Sequence, residues 1–493
     1  MRSPGRSEAD VCVVGYGPVG ATLAHLLADA GLRVLVLERE ADIYQLPRAV
    51  HFDDEVMRVF QTLGLAERIL PHTHVSPGMH FVDANGRLIL DWSRPRDVGP
   101  LGWNVSYRFH QPDLERILRE AATRKPNIDV RLRAEVFALD QDGGGVDIRY
   151  EDLSCGALHT VRARFVVGCD GARSLVRRLI GSSLDDLGFH ERWLVVDALL
   201  KREMPSLGDY SVQFCDPARA ATYVRGVGSR RRWEIALHAD EDPALMTEPA
   251  RVWRLLRRFI SPDDAELERA ACYTFHSAIA EQWRDGRLLI AGDSAHQTPP
   301  FLGQGLCAGI RDVANLAWKL THVVRGQAQP DLLDTYQSER SPHVREYIEL
   351  AVRLGGLINT SAAEAAVPGG LLRAEPAQMQ SIKPLLGPGL KAGATELLGR
   401  VAPQPVLSDG TRLDDRVGYR FAALLQPDFL ESLSRPLVER LKQKDVAIVA
   451  DPCPALRQWL DDNRVAGVVV RPDRYVLGAA QNAQDMDKLI AAI

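Results

Sequence analysis

The sequence has no C-x-x-C pair, no long apolar run and no surplus of basic residues, and each absence closes off a class of function. Its seven cysteines, Cys12, Cys155, Cys169, Cys215, Cys272, Cys307 and Cys453, lie far apart. That spacing builds neither a zinc site nor a disulfide framework, and several of the seven fall inside apolar runs, so no metal is expected. No stretch approaches the roughly eighteen continuous apolar residues that a membrane span needs. Lys and Arg number 60 against 65 Asp and Glu, a net charge of −5, which leaves no basic footprint for nucleic acid. Residues 1–10 are polar and lack the apolar stretch of a secretory signal. The expectation is a cytoplasmic protein without nucleic-acid or membrane partners.

What is present is an ordinary globular composition, 46% hydrophobic and 25% charged. A chain of 493 residues exceeds what one core usually supports, so several domains are expected. Residues 10–40 read as a βαβ unit: a strand at 11–14, a glycine turn, a helix over 19–30 stopped by Gly31, and a strand at 34–37 closing at Glu38. A helix opens at Asp53-Asp54-Glu55, a hairpin is expected around Asn85-Gly86, and a helix over 111–123 carries Pro112 in its first turn. From 191 to 238 the pattern turns β-rich, which suggests an inserted antiparallel sheet. Long helices are expected from Leu306 and over 331–354.

The chain therefore divides into a cofactor domain at 1–185, an inserted sheet at 186–280, the rest of the cofactor domain at 281–354, a helical spacer at 355–404 and a small α/β unit at 405–493. The fold class is α/β, with a Rossmann-like first domain.

Three short motifs each follow a run that reads as a buried strand. The first is Gly15-Tyr16-Gly17-Pro18-Val19-Gly20. In it Gly15 permits the tight turn, Gly17 lets backbone approach a pyrophosphate, and Gly20 allows helix to pack on strand. Glu38, at the end of the second strand, suits ribose hydroxyls. The second motif is Cys169-Asp170-Gly171-Ala172-Arg173-Ser174. The third, Gly292-Asp293-Ser294-Ala295-His296, leads into the loop Thr298-Pro299-Pro300-Phe301-Leu302-Gly303-Gln304-Gly305. An acid at a strand end accepts hydrogen bonds from sugar or ribityl hydroxyls. Glycines in the loop let backbone N–H groups approach a flat ring, and the helix beyond directs its positive end at it. The first motif alone does not separate FAD from NAD; the other two favour FAD.

With Pro47-Arg48-Ala49-Val50, Asp53-Asp54-Glu55, Cys215-Asp216-Pro217 and the run 292–320, the chain resembles the para-hydroxybenzoate hydroxylase superfamily of FAD-dependent aromatic monooxygenases. Within it, the chain is most similar to the 3-(3-hydroxyphenyl)propionate hydroxylase branch. The resemblance implies that Gly15, Gly17, Pro18, Gly20 and Glu38 hold the ADP half of a non-covalent FAD. It implies that Arg48 lies near the pyrophosphate and the incoming NADH or NADPH, that Gln111 touches the cofactor and that Asp170 sits near the pyrophosphate. Asp293 then binds the ribityl chain, while Pro300, Gly305, Leu306 and Cys307 line the isoalloxazine, Cys307 standing where an asparagine is often found. The implied reaction is ortho-hydroxylation of a phenolic acid with NAD(P)H and O2 through a flavin C4a-hydroperoxide.

No base for the substrate hydroxyl is evident. His51, Tyr223, Arg225 and His238 are candidates for substrate contact, Arg225 as an anchor for a carboxylate, though each is equally a packing or surface residue. His296 reads as structural. No second strand–GxGxxG–helix unit exists for the nicotinamide cofactor, which fits transient binding in a groove. The final unit resembles a thioredoxin-like domain without its Cys-x-x-Cys, which suggests packing or a homodimer contact rather than redox work. Two other readings stay open: a polyketide or antibiotic hydroxylase, and a non-catalytic FAD-binding scaffold. A flavin halogenase is disfavoured by the absence of Trp-x-Trp-x-Ile-Pro.

Overall fold

The computed structural model describes residues 8–45, 48–359, 377–393 and 395–493. The apolar runs of the sequence become the adjacent parallel strands Leu288–Ile290, Ala157–Gly168, Ala9–Val14 and Val34–Glu38, with Ile128–Leu132 at the edge. Residues 11–14, 34–37, 165–167 and 288–290 are buried, which is why they read as continuous rather than alternating apolar runs. Helix Pro18–Asp29 follows the first strand, and helix Gly305–Val324, buried along most of its length, packs beside it. Together these elements form the Rossmann-like layer expected from residues 10–40.

A second sheet has nine strands and two chemically different faces. Its backbone is the long antiparallel pair Leu184–Leu200 and Ala265–Ala280, continued by Arg230–Ala236, Ala221–Arg225 and Ser211–Cys215. The hairpin Gly78–Asp83 and Leu88–Ser93 joins it in parallel with Ser211–Cys215, so the sheet also recruits chain from outside residues 186–280. Leu194, Val196, Tyr223, Trp233 and Ile235 form one face and pack under Val252 and Leu256 of helix Pro249–Leu256. The alternate residues Trp193, Asp197, Gln213, Thr222, Arg232 and Glu234 form the other face, which turns toward the cofactor layer. There Trp193 meets the Phe301 ring at 5.7 Å and Arg232 Nη1 donates to the Arg48 carbonyl at 2.8 Å.

Between the two sheets lies a small one, His51–Asp53, Ser106–Phe109 and Thr73–Val75. Period two splits it as well: Phe52, Tyr107 and Phe109 stack together in the core, leaving His51, Ser106 and Arg108 on the opposite side.

Helix Asp334–Asn359 runs past the expected end at Leu354, through Gly355-Gly356. Ala351, Leu354 and Ile358 recur on one face and pack into the same apolar cluster as Trp193 and Phe301, and that burial outweighs the low helix propensity of the two glycines. Residues 360–376 and 394 of the expected spacer lie outside the described residues. Beyond Asn359 its described part contains the short strand Ala377–Gln378 and irregular chain but no helix, because the buried Leu386, Leu397 and Ala402 do not recur on a helical stripe.

The last unit is a four-stranded mixed sheet in the order Ala447–Val449, Ala422–Leu425, Gly467–Val470, Val476–Ala480. Ala422 and Leu424 face helix Pro454–Asp462 through Leu456 and Leu460. Ala423 and Leu425 face helices Arg435–Gln443 and Ala483–Ala491. Helices thus cover both faces of the sheet in this small α/β unit, and Cys453 is the one cysteine in it. It is bolted to the cofactor domain. Arg58 makes two bonds to Asp414 at 2.8 and 2.9 Å, and Arg471 and Lys319 both reach Glu339 at 2.7 Å, all fully buried.

Candidate functional site

The parallel register lines up the carboxyl ends of four strands. Val14 pairs with Leu37 and with Gly168, and Gly168 pairs with Ile290. All three motifs and Glu38 therefore emerge along one edge, the edge at which open α/β sheets bind ligands.

Within the first motif the glycines have separate tasks. Gly15 has φ +98°, and a Cβ there would stand 2.5 Å from the Cys169 carbonyl oxygen; one on Gly20 would stand 2.1 Å from the Gly15 oxygen. Both glycines hold the first and second motifs in contact. A Cβ on Gly17 would meet no protein atom within 4 Å, so Gly17 fronts open space at the N-terminus of helix Pro18–Asp29. Glu38 accepts from Tyr16 N–H at 2.6 Å and from Glu40 N–H at 2.8 Å, one bond to each oxygen, which leaves a lone pair on each for a ribose hydroxyl. Arg119 closes the turn by donating to the Tyr16 carbonyl at 3.1 Å.

Gln111 holds the neighbouring loop. Its Oε1 accepts from the backbone N–H groups of Arg48 and Ala49 at 3.1 and 2.8 Å, and its Nε2 donates to Glu115. Arg48 is exposed, its guanidinium over the Tyr44 ring at 5.4 Å. Pro47, its neighbour in the matched motif, lies outside the described residues.

Asp170 has its carboxylate filled by the protein. Leu175 and Val176 N–H donate to one oxygen, and the Ser174 and Ser294 hydroxyls to the other. It caps the short helix Leu175–Leu179 and fastens the second motif to the third. Asp293 is different: it is open to solvent yet lies deep in the molecule, where burial pushes its carboxyl up against the pull of His296 and Arg48. An acid both accessible and deep lines a cleft. His296 is structural as expected, fully buried with Nε2 2.6 Å from Asp312, which also receives Arg340 Nε at 2.9 Å and Gly292 N–H at 3.1 Å.

After a 3-10 turn at Pro300–Leu302 and Gly303 in the left-handed region at φ +63°, helix Gly305–Val324 begins. Gly305 and Leu306 are half-buried, while Cys307 is buried with its sulfur turned back toward the Gly303 carbonyl. His51 supports this loop from below: its Nδ1 lies 3.1 Å from the Gly303 oxygen. A carbonyl only accepts, so Nδ1 carries the hydrogen and Nε2 is the acceptor, facing Arg94 Nη1 at 2.9 Å and Ser106 Oγ at 3.0 Å. Burial, then Arg94 and Arg108, push the imidazole pKa well down, so His51 is neutral.

The polar side of the small sheet meets the polar face of the large one, joined by Arg108 Nη2 to Ser211 Oγ at 2.9 Å. His51, Arg94, Arg108, Gln213, Thr222 and Glu234 thus gather as a polar layer between the two sheets, with His51 against the loop at 300–307. Burial pushes the Glu234 carboxyl up and the Arg108 guanidinium down to about 9. Of the four residues considered for substrate contact, only His51 belongs here. Tyr223 and Arg225 share the odd-numbered face of their strand, so Tyr223 packs on Trp233, and Arg225 turns to Asp209 at 3.6 Å and to the Gly228 carbonyl. His238 is exposed beyond the strand end, its backbone N–H held by Glu241 at 2.8 Å. Arg94, Arg108 and Glu234 were missed. The signal that could have found Arg108 and Glu234 was a charge alternating with apolar neighbours, Tyr107-Arg108-Phe109 and Trp233-Glu234-Ile235; Arg94, just beyond strand Leu88–Ser93, carried no such signal.

The chain is similar to known proteins along nearly its whole length. The family described as FAD binding domain matches residues 8–351, and the HcaD C-terminal domain matches residues 428–493. A probable NADH-specific resorcinol 4-hydroxylase of Rhodococcus jostii (strain RHA1) is 39% identical, over 99% of this chain and 96% of its own. A 3-(3-hydroxy-phenyl)propionate/3-hydroxycinnamic acid hydroxylase of Mycobacterium sp. (strain JLS) is 34% identical, over 99% of this chain and 92% of its own. In fold, the chain is similar to the flavin-dependent monooxygenase PieE, solved with FAD and substrate, at a TM-score of 0.82 and 24% identity over 99% of both chains. From its first strand to the middle of helix Asp334–Asn359, the chain belongs to the FAD binding domain family, and FAD is its cofactor.

Proposed function

We propose that this protein is a single-component monooxygenase that hydroxylates a phenolic acid of the 3-(3-hydroxyphenyl)propionate type, ortho to the existing hydroxyl. The reaction is phenol + NAD(P)H + H+ + O2 → catechol + NAD(P)+ + H2O. The carrying observation is the alignment of three motifs at four strand ends, with the polar face of the large sheet turned toward them. Relatives that hydroxylate phenolic rings, across nearly the whole chain, support it. The NADH named for one of them favours NADH as the reductant here.

The residues present fit the cofactor. Gly17 leaves room for a pyrophosphate where a Cβ would intrude, and Gly15, Pro18 and Gly20 shape the turn around it. Glu38 would hold the adenosine ribose and Asp293 the ribityl chain. Pro300, Gly305, Leu306 and Cys307 would border the ring. Arg48 stands at the lip, where a second, transient nucleotide can reach it, positioned by Gln111 and Arg232. Asp170 acts through Ser294, by keeping the two later motifs together. Bound FAD supplies hydride acceptance and oxygen activation. The chain orients the ring against the flavin and excludes water with the apolar cluster of Trp193, Phe301 and Tyr347.

Among the described residues no helix is long and apolar enough to cross a membrane. All seven cysteines are free, which suits a reducing cytoplasm. The test is a panel of phenylpropionates, hydroxybenzoates and polycyclic phenols, scored by product rather than by NADH loss. A catechol-type product from 3-(3-hydroxyphenyl)propionate is expected. Turnover of polycyclic phenols alone moves the enzyme to another branch.

A further inference from the structure

Among the described residues of the polar layer between the sheets, Arg94 and Arg108 are cations without a paired carboxylate. Arg232 and Arg269 share Asp197, at 2.6 and 3.6 Å, with Glu234 4.0 Å from Arg232. Arg311 is matched by Asp53 and Glu55 at 2.5 and 2.6 Å. Among the described residues neither Arg94 nor Arg108 has a carboxylate within 4.0 Å. Arg108 is 7% exposed and bonds only to Ser211 Oγ. Arg94 Nη1 bonds to His51 and Ser106, and its guanidinium lies 4.4 Å over Trp92. The Nε atoms of both are buried without an acceptor. Arg108 is buried and Arg94 half-buried. A guanidinium drawn out of water without a counter-ion is unfavourable, so a fold that keeps two of them beside His51 is shaped for an anion that arrives from outside.

We propose that Arg94 and Arg108 bind the carboxylate of the aromatic substrate and so select anionic phenols over neutral ones. The inference rests on the hydroxylase reading above and assigns its specificity to two residues. The planar guanidinium fork matches a carboxylate in geometry as well as charge. Arg225 does not compete for this role, since strand alternation turns it to Asp209.

The experiment uses the FAD-loaded enzyme and follows the flavin absorption change as ligand is added. The ligands are 3-(3-hydroxyphenyl)propionate, its primary amide and resorcinol, with parent, Arg94→Met, Arg108→Met, Arg108→Lys and Arg225→Met proteins. Charged hydrogen bonds of this kind predict that the parent binds the acid about tenfold to a hundredfold more tightly than the amide. Both methionine variants should lose that preference while amide affinity stays within about twofold. Arg108→Lys should restore part of it, and Arg225→Met should change nothing. Equal binding of acid and amide by the parent overturns the proposal whatever the variants do. So does a methionine variant that weakens amide and acid alike, or one that shifts the flavin reduction potential with the preference intact. If resorcinol is hydroxylated but the acid is ignored, this inference and the choice of a phenolic acid fail together while the aromatic hydroxylase reading stands. If the acid is hydroxylated but bound no better than its amide, only this inference fails; if no phenol is hydroxylated, the enzymatic reading fails first.

Discussion

Ser294 donates its hydroxyl hydrogen to Asp170 at 3.0 Å and accepts from Gly171 N–H at 3.0 Å, closing a contact between residues 124 positions apart. Two motifs that are unremarkable Asp-Gly turns on their own thereby become one surface. Ser294→Ala would leave an Asp170 oxygen short of a donor and loosen the bed on which Asp293 sits. FAD should bind more weakly, by about 1 kcal/mol, which equilibrium dialysis would detect.

Gly17 and Asp293 give the cleanest test of the cofactor site. Because a Cβ on Gly17 meets no protein atom, Gly17→Val should fold normally and still lose FAD. Gly15→Val is a poorer probe, since its side chain collides with the Cys169 carbonyl and disturbs the fold itself. Asp293→Ala removes an acceptor, and a loss of about 1–3 kcal/mol in FAD affinity is expected. Native circular dichroism with full flavin occupancy in Gly17→Val and Asp293→Ala would falsify the assigned roles. Acid denaturation of the parent should release the yellow cofactor into the supernatant.

Arg48 is exposed at the lip of the site, its backbone held by Gln111 and Arg232 and its guanidinium resting over the exposed Tyr44. Arg48→Ala is therefore expected to raise the KM for NADH by about tenfold with little effect on substrate affinity or melting temperature. The parent should oxidise NADH slowly until a phenolic substrate is added. Stopped-flow reduction at equal rates with and without substrate would sink the gating, though not the cofactor assignment.

Asp54 makes stability depend on pH near neutrality. Burial, reinforced by Asp53, pushes its carboxyl up to about 7, and its Oδ2 has no hydrogen-bond partner. Because the folded state holds this proton more tightly than the unfolded chain, stability is full below pH ~4 and falls as pH rises through 7. Asp54→Asn should be more stable than the parent at pH 8.5, by a few kcal/mol, and nearly equal at pH 4. Urea midpoints at the two pH values decide it; a constant difference across the range contradicts the assignment.

The C-terminal unit should resist separation from the flavin domain. Although burial opposes its charge, Glu339 is held down at about 2 by Arg471 and Lys319. Its stabilisation is present above pH ~4.5 and is lost as the pH falls toward 2. Glu339→Gln leaves Lys319 without a carboxylate and Arg471 with Asp473 alone, and should cost about 3–5 kcal/mol. Limited proteolysis should then release the last unit. An unchanged melting temperature would show that the clamp is not needed.

The sequence by itself determined the chemistry of the cofactor edge. Continuous apolar runs, the glycine turn and Glu38 are all local signals, and buried parallel strands must be apolar on both faces. The Asn85-Gly86 hairpin and the start of the long helix were legible for the same reason, since turn and helix-start preferences act within a few residues. Tertiary structure decided what gathers beside the loop at 300–307. The facing of a strand residue depends on register, and register is fixed only when sheets meet. Hence Tyr223 and Arg225 turn to the far face, while Arg94 and Arg108, contributed by segments that do not look like a site, come together with His51. Packing also carried helix Asp334–Asn359 across two glycines, because Ala351, Leu354 and Ile358 gain more from burial than Gly355-Gly356 lose in backbone entropy.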